Sequence, residues 1–213
     1  MSIRPRVLLA DDHTMLLEAF RELLAPTCNV VGTVSDGRAL LEAAPRLKPD
    51  VIVVDISMPL LNGLDACRQL QPRLPETRWV FLTVNEDPDV AVEAFRMGGL
   101  AYLLKSSAAS ELFLAIKKAM RGELYLTPLL AKGMPLSVFL TRSARPPADP
   151  LTPRQREVLQ LLAEGRLMKQ VADILGVSPR TVAFHKYSIM KQLGVKSSAG
   201  LVQYAVCHGL VCR

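Results

Sequence analysis

The chain has 213 residues, half of them hydrophobic, with 26 Lys and Arg against 20 Asp and Glu and a formal net charge of +6. That length and composition allow one or two packed domains and exclude a disordered or fibrous polymer. No apolar run approaches the ~20 residues that a membrane-spanning helix needs, and the first residues lead straight into a strand pattern rather than a secretion signal. No membrane insertion and a cytoplasmic location are therefore expected. Cys28, Cys67, Cys207 and Cys212 match no zinc spacing, so they read as ordinary small side chains.

In chain order, Val7-Leu8-Leu9-Ala10 is an apolar run that ends in Asp11-Asp12. Helical periodicity follows over 13–25, a strand pattern near 29–34 and a second helix over 36–46. Val51-Ile52-Val53-Val54 then ends in Asp55, and a helix fits 63–72. Trp79-Val80-Phe81-Leu82 ends in Thr83, before a helix over 88–97. Tyr102-Leu103-Leu104 ends in Lys105, and the helix over 108–121 carries Leu112, Ala115, Ile116 and Ala119 on one stripe. Continuous apolar runs suit parallel strands covered on both faces. Their alternation with helices predicts βαβ units in a five-stranded, doubly wound parallel sheet, most simply of order 2-1-3-4-5.

In such a sheet the chemistry lies outside the carboxyl ends of the strands. Asp11, Asp12, Asp55, Thr83 and Lys105 therefore share one rim. Carboxylates this close repel one another unless a cation joins them. Mg²⁺ suits a few carboxylates and retained waters. It would leave Asp55 ionised as a nucleophile toward phosphorus, with Lys105 and Thr83 serving the phosphoryl oxygens. A single Asp after a strand is ordinarily a turn or cap residue, but that reading must be repeated independently at every strand end.

Residues 128–150 break the rhythm with Pro128, Pro135, Pro146, Pro147 and Pro150 and with Arg142 and Arg145. They read as a partly extended linker holding an apolar patch, Leu136–Leu140, that docks on one of the domains. The charge also divides. Residues 1–120 hold 13 basic against 15 acidic side chains, and residues 149–213 hold 9 against 4. A basic final third points to a polyanion partner.

From Leu151 the pattern is helical. Thr152-Pro153-Arg154-Gln155 has the form of a capping box, and Gly165 stops the helix it opens. A short helix with Met168, Val171, Ala172 and Leu175 on one face reaches the turn at Gly176. Ser178-Pro179 opens a third helix that runs to Leu193, and a fourth starts near Ser197. Two helices about a tight glycine turn form a helix-turn-helix, whose second helix would enter a major groove. Its candidate contacts are Arg180, Thr181, His185, Lys186 and Lys191. A helical packing module with a solvated basic face gives the same spacing.

Two resemblances cover nearly the whole chain. Leu9-Ala10-Asp11-Asp12-His13, Asp55-Ile56-Ser57-Met58-Pro59, Asn62-Gly63, Leu82-Thr83 and Tyr102-Leu103-Leu104-Lys105-Ser106 resemble the CheY-like receiver domain of two-component response regulators. The resemblance implies that Asp55 takes phosphate from a histidine kinase and that Asp11, Asp12, Asp55 and the carbonyl of Ser57 hold Mg²⁺. It also implies that Thr83 and Tyr102 form a switch pair, the tyrosine ring moving inward, while Ser57 and Asn85 tune loss of the acyl phosphate. Leu151–Leu159, Val171-Ala172, Val177–Val182 and Leu193-Gly194-Val195 resemble the LuxR-type DNA-binding domain. Together they resemble the NarL/FixJ class: a regulator, not a turnover enzyme, that binds double-stranded DNA and pairs as a homodimer when phosphorylated. Its last helix would supply that contact through Leu201, Val202, Tyr204 and Ala205. The expected boundaries are 1–122 for the receiver, 123–149 for the linker and 150–213 for the small four-helix DNA-binding domain. Leu167-Met168 replaces a polar pair common in relatives, which leaves a phosphate contact to Lys169. Ala183 replaces a frequent Lys, which shifts base readout to Thr181, Phe184, His185 and Lys186. A metal-dependent phosphatase and a phosphate-independent DNA binder are the rival readings.

Overall fold

A computed structural model of the chain describes residues 4–131, 136–143 and 150–211. It divides into two compact units, one carrying the sheet and the other a set of helices. In the first, strands β1 (Arg6–Ala10), β2 (Asn29–Val34), β3 (Val51–Asp55), β4 (Arg78–Thr83), β5 (Gly99–Leu104) and β6 (Tyr125–Leu126) form one sheet of order β2-β1-β3-β4-β5-β6. Each neighbouring pair is parallel. The expected order of the first five strands is observed. The sixth strand is an addition, two residues long and paired at its register positions Tyr125 and Leu126 with Ala101 and Tyr102. A strand that short carries no periodicity of its own.

Strand side chains alternate between faces. Val7, Leu9, Val51, Val53, Val80, Leu82, Ala101 and Leu103 form one core with Leu17, Phe20 and Leu24 of α1 (Thr14–Leu24) and Leu112, Ala115, Ile116 and Ala119 of α5 (Ala108–Met120). The other face carries α2 (Gly37–Leu47), α3 (Gly63–Leu70) and α4 (Pro88–Arg96). Three of these helices start on a side-chain cap. Asp36 accepts from the Ala39 N–H, Asn62 from the Asp65 N–H and Asp87 from the Asp89 N–H.

The stretch expected to be an extended linker is in part helical. Pro128–Ala131 forms the short α6, where proline at the first position costs nothing. Leu136–Ser143 forms α7, which contains no proline and packs along α4. Phe139 is fully buried there, edge-on to Phe95 at 6.4 Å and 72°. Phe139 of the apolar patch thus docks on the sheet-bearing unit, while Val138 is exposed. Arg145, Pro146, Pro147 and Cys212 lie outside the described residues.

The second unit consists of α8 (Pro153–Ala163), α9 (Met168–Leu175), α10 (Pro179–Leu193) and α11 (Ser198–Cys207). Its core holds Val158, Leu161, Val171, Ala172, Leu175, Val182, Ile189, Leu201 and Ala205. The capping box before α8 is complete: the Gln155 N–H donates to Thr152 Oγ1 and the Thr152 N–H donates to Gln155 Oε1. Gly176, at φ +63, makes the left-handed turn that sends the chain from α9 to α10. Among the described residues no helix is long and apolar enough to cross a membrane.

Candidate functional site

Parallel register brings the strand ends of the first unit level. Ala10 pairs with Val54, Asp55 with Leu82 and Thr83 with Leu104. Asp11 follows β1, Asp55 ends β3, Thr83 ends β4 and Lys105 follows β5. The Lys105 ammonium bridges two carboxylates, 2.8 Å from Asp11 Oδ2 and 2.9 Å from Asp55 Oδ2. Asp11 is 1% and Asp55 2% exposed, whereas Asp12 stands in solvent. Burial pushes the Asp55 carboxyl above its ordinary range, and Lys105 only partly offsets this. Burial works to lower Lys105, but its bonds to Asp11 and Asp55 prevail and the ammonium is held above its usual value.

The turn after β3 is built around Asp55. The Ser57 N–H donates to Asp55 Oδ1 at 3.1 Å. The Gly63 N–H donates to the Ile56 carbonyl at 2.9 Å. A Cβ at Gly63 would stand 2.2 Å from the Asp55 carbonyl oxygen, so only glycine lets α3 begin this close to the acidic centre.

Carboxylate oxygens of Asp11, Asp12 and Asp55 and a ring nitrogen of His13 all lie within 4.8 Å of one another. Three carboxylates beside one ammonium are short of positive charge, and such hard oxygen donors suit Mg²⁺. The residues therefore fit the ion that receiver domains hold at their acidic pocket. His13 is an addition to the expected set. Its backbone N–H donates to Asp11 Oδ1, and its Nδ1 lies 3.0 Å from Asp11 Oδ1 and 2.8 Å from Asp12 Oδ1. Spacing gave no sign of this, because the turn after β1 folds the ring back onto the two acids.

Thr83 and Tyr102 meet at Asn85. Thr83 Oγ1 accepts from the Asn85 N–H at 3.0 Å, and the Tyr102 hydroxyl donates to the Asn85 carbonyl at 3.1 Å. Tyr102 is fully buried, so its ring stands inward, and burial raises its phenol well above the usual value. Asn85, read from the sequence as a residue tuning the phosphoryl group, is also the backbone bracket between the two hydroxyls.

In the second unit Lys169, Arg180, Phe184 and Lys191 are exposed, and Thr181, His185 and Lys186 are half-buried. Thr181 is engaged locally, its N–H and hydroxyl on the Ser178 cap. Tyr187, missed in the sequence reading, is as open as Phe184. The expected pairing residues of α11 separate. Leu201 and Ala205 are turned into the helical core, because i and i+4 share a face, and are not available at the surface. Val202 faces solvent, and Tyr204 stacks on His208 at 3.8 Å.

A doubly wound sheet with acids, a hydroxyl and a lysine on its rim, followed by a helix-turn-helix, defines a signal-receiving switch joined to a DNA-binding module. Residues 7–117 match the response regulator receiver domain family and residues 149–205 match the bacterial regulatory proteins of the luxR family. The transcriptional regulatory protein MctR of Rhizobium johnstonii is 32% identical over 217 residues, covering 100% of this chain and 99% of that protein. The solved structure of the RcsB response regulator of Salmonella typhimurium is 29% identical, with a TM-score of 0.63 over 94% of this chain and 96% of that one. An RcsB–DNA complex gives 29% identity and a TM-score of 0.56 over 94% and 97% of the two chains. The chain belongs to the NarL/FixJ-type two-component response regulators and regulates transcription through DNA binding.

Proposed function

We propose that Asp55 is the residue through which this regulator receives its signal. One Asp55 carboxylate oxygen attacks the phosphorus of a phosphohistidine on a histidine kinase, the P–N bond breaks, and the histidine leaves with its electron pair. The observation that carries this reading is the Lys105 ammonium shared between Asp11 and Asp55 at 2.8 and 2.9 Å. It holds the nucleophile in place and stands ready for a phosphoryl oxygen. Asp11, Asp12, Asp55 and the Ser57 carbonyl are the groups that would hold Mg²⁺, which when bound neutralises phosphoryl charge. Thr83 turns its hydroxyl from the Asn85 N–H to the phosphoryl group, and Tyr102, hydrogen-bonded to the same Asn85, reports the change to the start of α4. The chain processes only its own phosphoryl group and is no turnover enzyme.

The receiver spans 1–122 and the DNA-binding domain 150–213, with 123–149 between them. Lys169, Arg180, Thr181, Phe184, His185, Lys186 and Lys191 form the DNA face, working in the cytoplasm where the DNA lies. Phosphorylation favours a homodimer, to which α11 would contribute exposed Val202 and, beside it, Tyr204 with its stacked partner His208. The test is Asp55→Asn with acetyl phosphate as donor, followed by phosphate-affinity electrophoresis. The wild-type chain shifts and the variant does not; a variant that still takes label on an aspartate overturns the assignment.

A further inference from the structure

We infer that Phe184 and Tyr187 are the groove-reading side chains of α10 and that they select thymine by packing on its C5-methyl group. The inference rests on α10 being the DNA-entering helix. Arg180, Phe184, Tyr187 and Lys191 follow at i, i+4, i+7 and i+11, which places them within an arc of about 60°. All four are exposed, Phe184 to 70% and Tyr187 to 65%, while Val182 and Ile189 on the opposite side are buried. The stripe is therefore the outward face of the helix.

Its chemistry narrows the occupant. α10 carries Arg180, Lys186 and Lys191 and no carboxylate, a charge pattern that suits a polyanion. Arg180 and Lys191 stand at the two ends of the stripe, ~16 Å apart along the axis, in position for backbone phosphates. Between them are two aromatic rings and no amide side chain, so the bidentate pattern that reads adenine is missing from the centre. In the major groove the apolar feature a ring can meet is the thymine methyl. Phe184 is held for this, edge-on to the His185 ring at 5.8 Å and 68°.

The experiment selects duplexes from a random-sequence library with the full chain, then resynthesises them with deoxyuridine in place of thymidine. Anisotropy titration of wild type should show about a fourfold loss for each contacted methyl removed. Phe184→Ala and Tyr187→Ala, both surface changes, should weaken binding to the thymine duplex and bring the thymine-to-uracil ratio toward one. Lys191→Ala should weaken both duplexes alike and keep the ratio. Equal wild-type affinity for the two duplexes, or an unchanged ratio in both aromatic variants, overturns the inference alone. Enrichment of no sequence at all overturns the DNA-entering role of α10 with it.

Discussion

Lys105 sits between two acids that are almost dry, and its removal leaves them facing each other. Breaking a buried ion pair from one side costs about 3–5 kcal/mol. Lys105→Ala should lower stability by that order in urea titrations followed through Trp79 fluorescence, whereas an exposed lysine such as Lys117 should matter little. A second residue makes a pH prediction. The Tyr125 hydroxyl donates to Glu111 Oε2 at 2.9 Å, and burial together with that carboxylate pushes its phenol up to about 12. A group whose folded pKa is raised adds stability that is complete below its ordinary value, about 10, and is lost as pH rises toward the folded value. Tyr125→Phe should therefore flatten part of the fall in urea midpoint between pH 10 and 12, with buried Tyr102 responsible for a remainder. Asp11, Asp55, Thr83 and Lys105 were legible in the sequence because each stands at the end of an apolar run. His13 was not, since its part depends on a backbone turn. Tyr187 could have been found by continuing the helical stripe from Arg180.

Among the elements, the five main strands and the helices between them were legible, because alternating apolar runs and 3.6-residue stripes leave few arrangements open. The stretch after α5 was not. Its prolines hid α7, whose eight residues carry too little periodicity to announce a helix. Yet α7 packs along α4, which also packs on β5. The contact turns on Phe139 against Phe95. Phe139→Ala should cost about 3–5 kcal/mol where the aromatic is fully buried and should raise hydrogen exchange in α4 before it does so in β1 or β3. Exchange unchanged in α4 would show that α7 contributes nothing to its order. In the second unit, α9 starts without a side-chain cap at Leu167, whose side chain has no acceptor, and keeps only the Gln170 half of a box.

For the molecule, the division of charge has a measurable result. The basic last third should make DNA affinity fall steeply with salt. Lys186→Ala should weaken binding to all sequences and reduce the slope of log affinity against log salt by about 1. An unchanged slope would remove Lys186 from the phosphate contacts. The order of the two units along the polymer has a further effect. The acidic rim needs residues from Asp11 to Lys105, and the helix proposed to enter the groove follows it at Pro179–Leu193. A ribosome therefore releases the receiving part well before the reading part exists. A message cut short between Lys105 and Pro179 yields a product that carries the whole acidic rim but lacks the helix proposed to enter the groove, so the two halves of the switch are lost unequally to faulty translation.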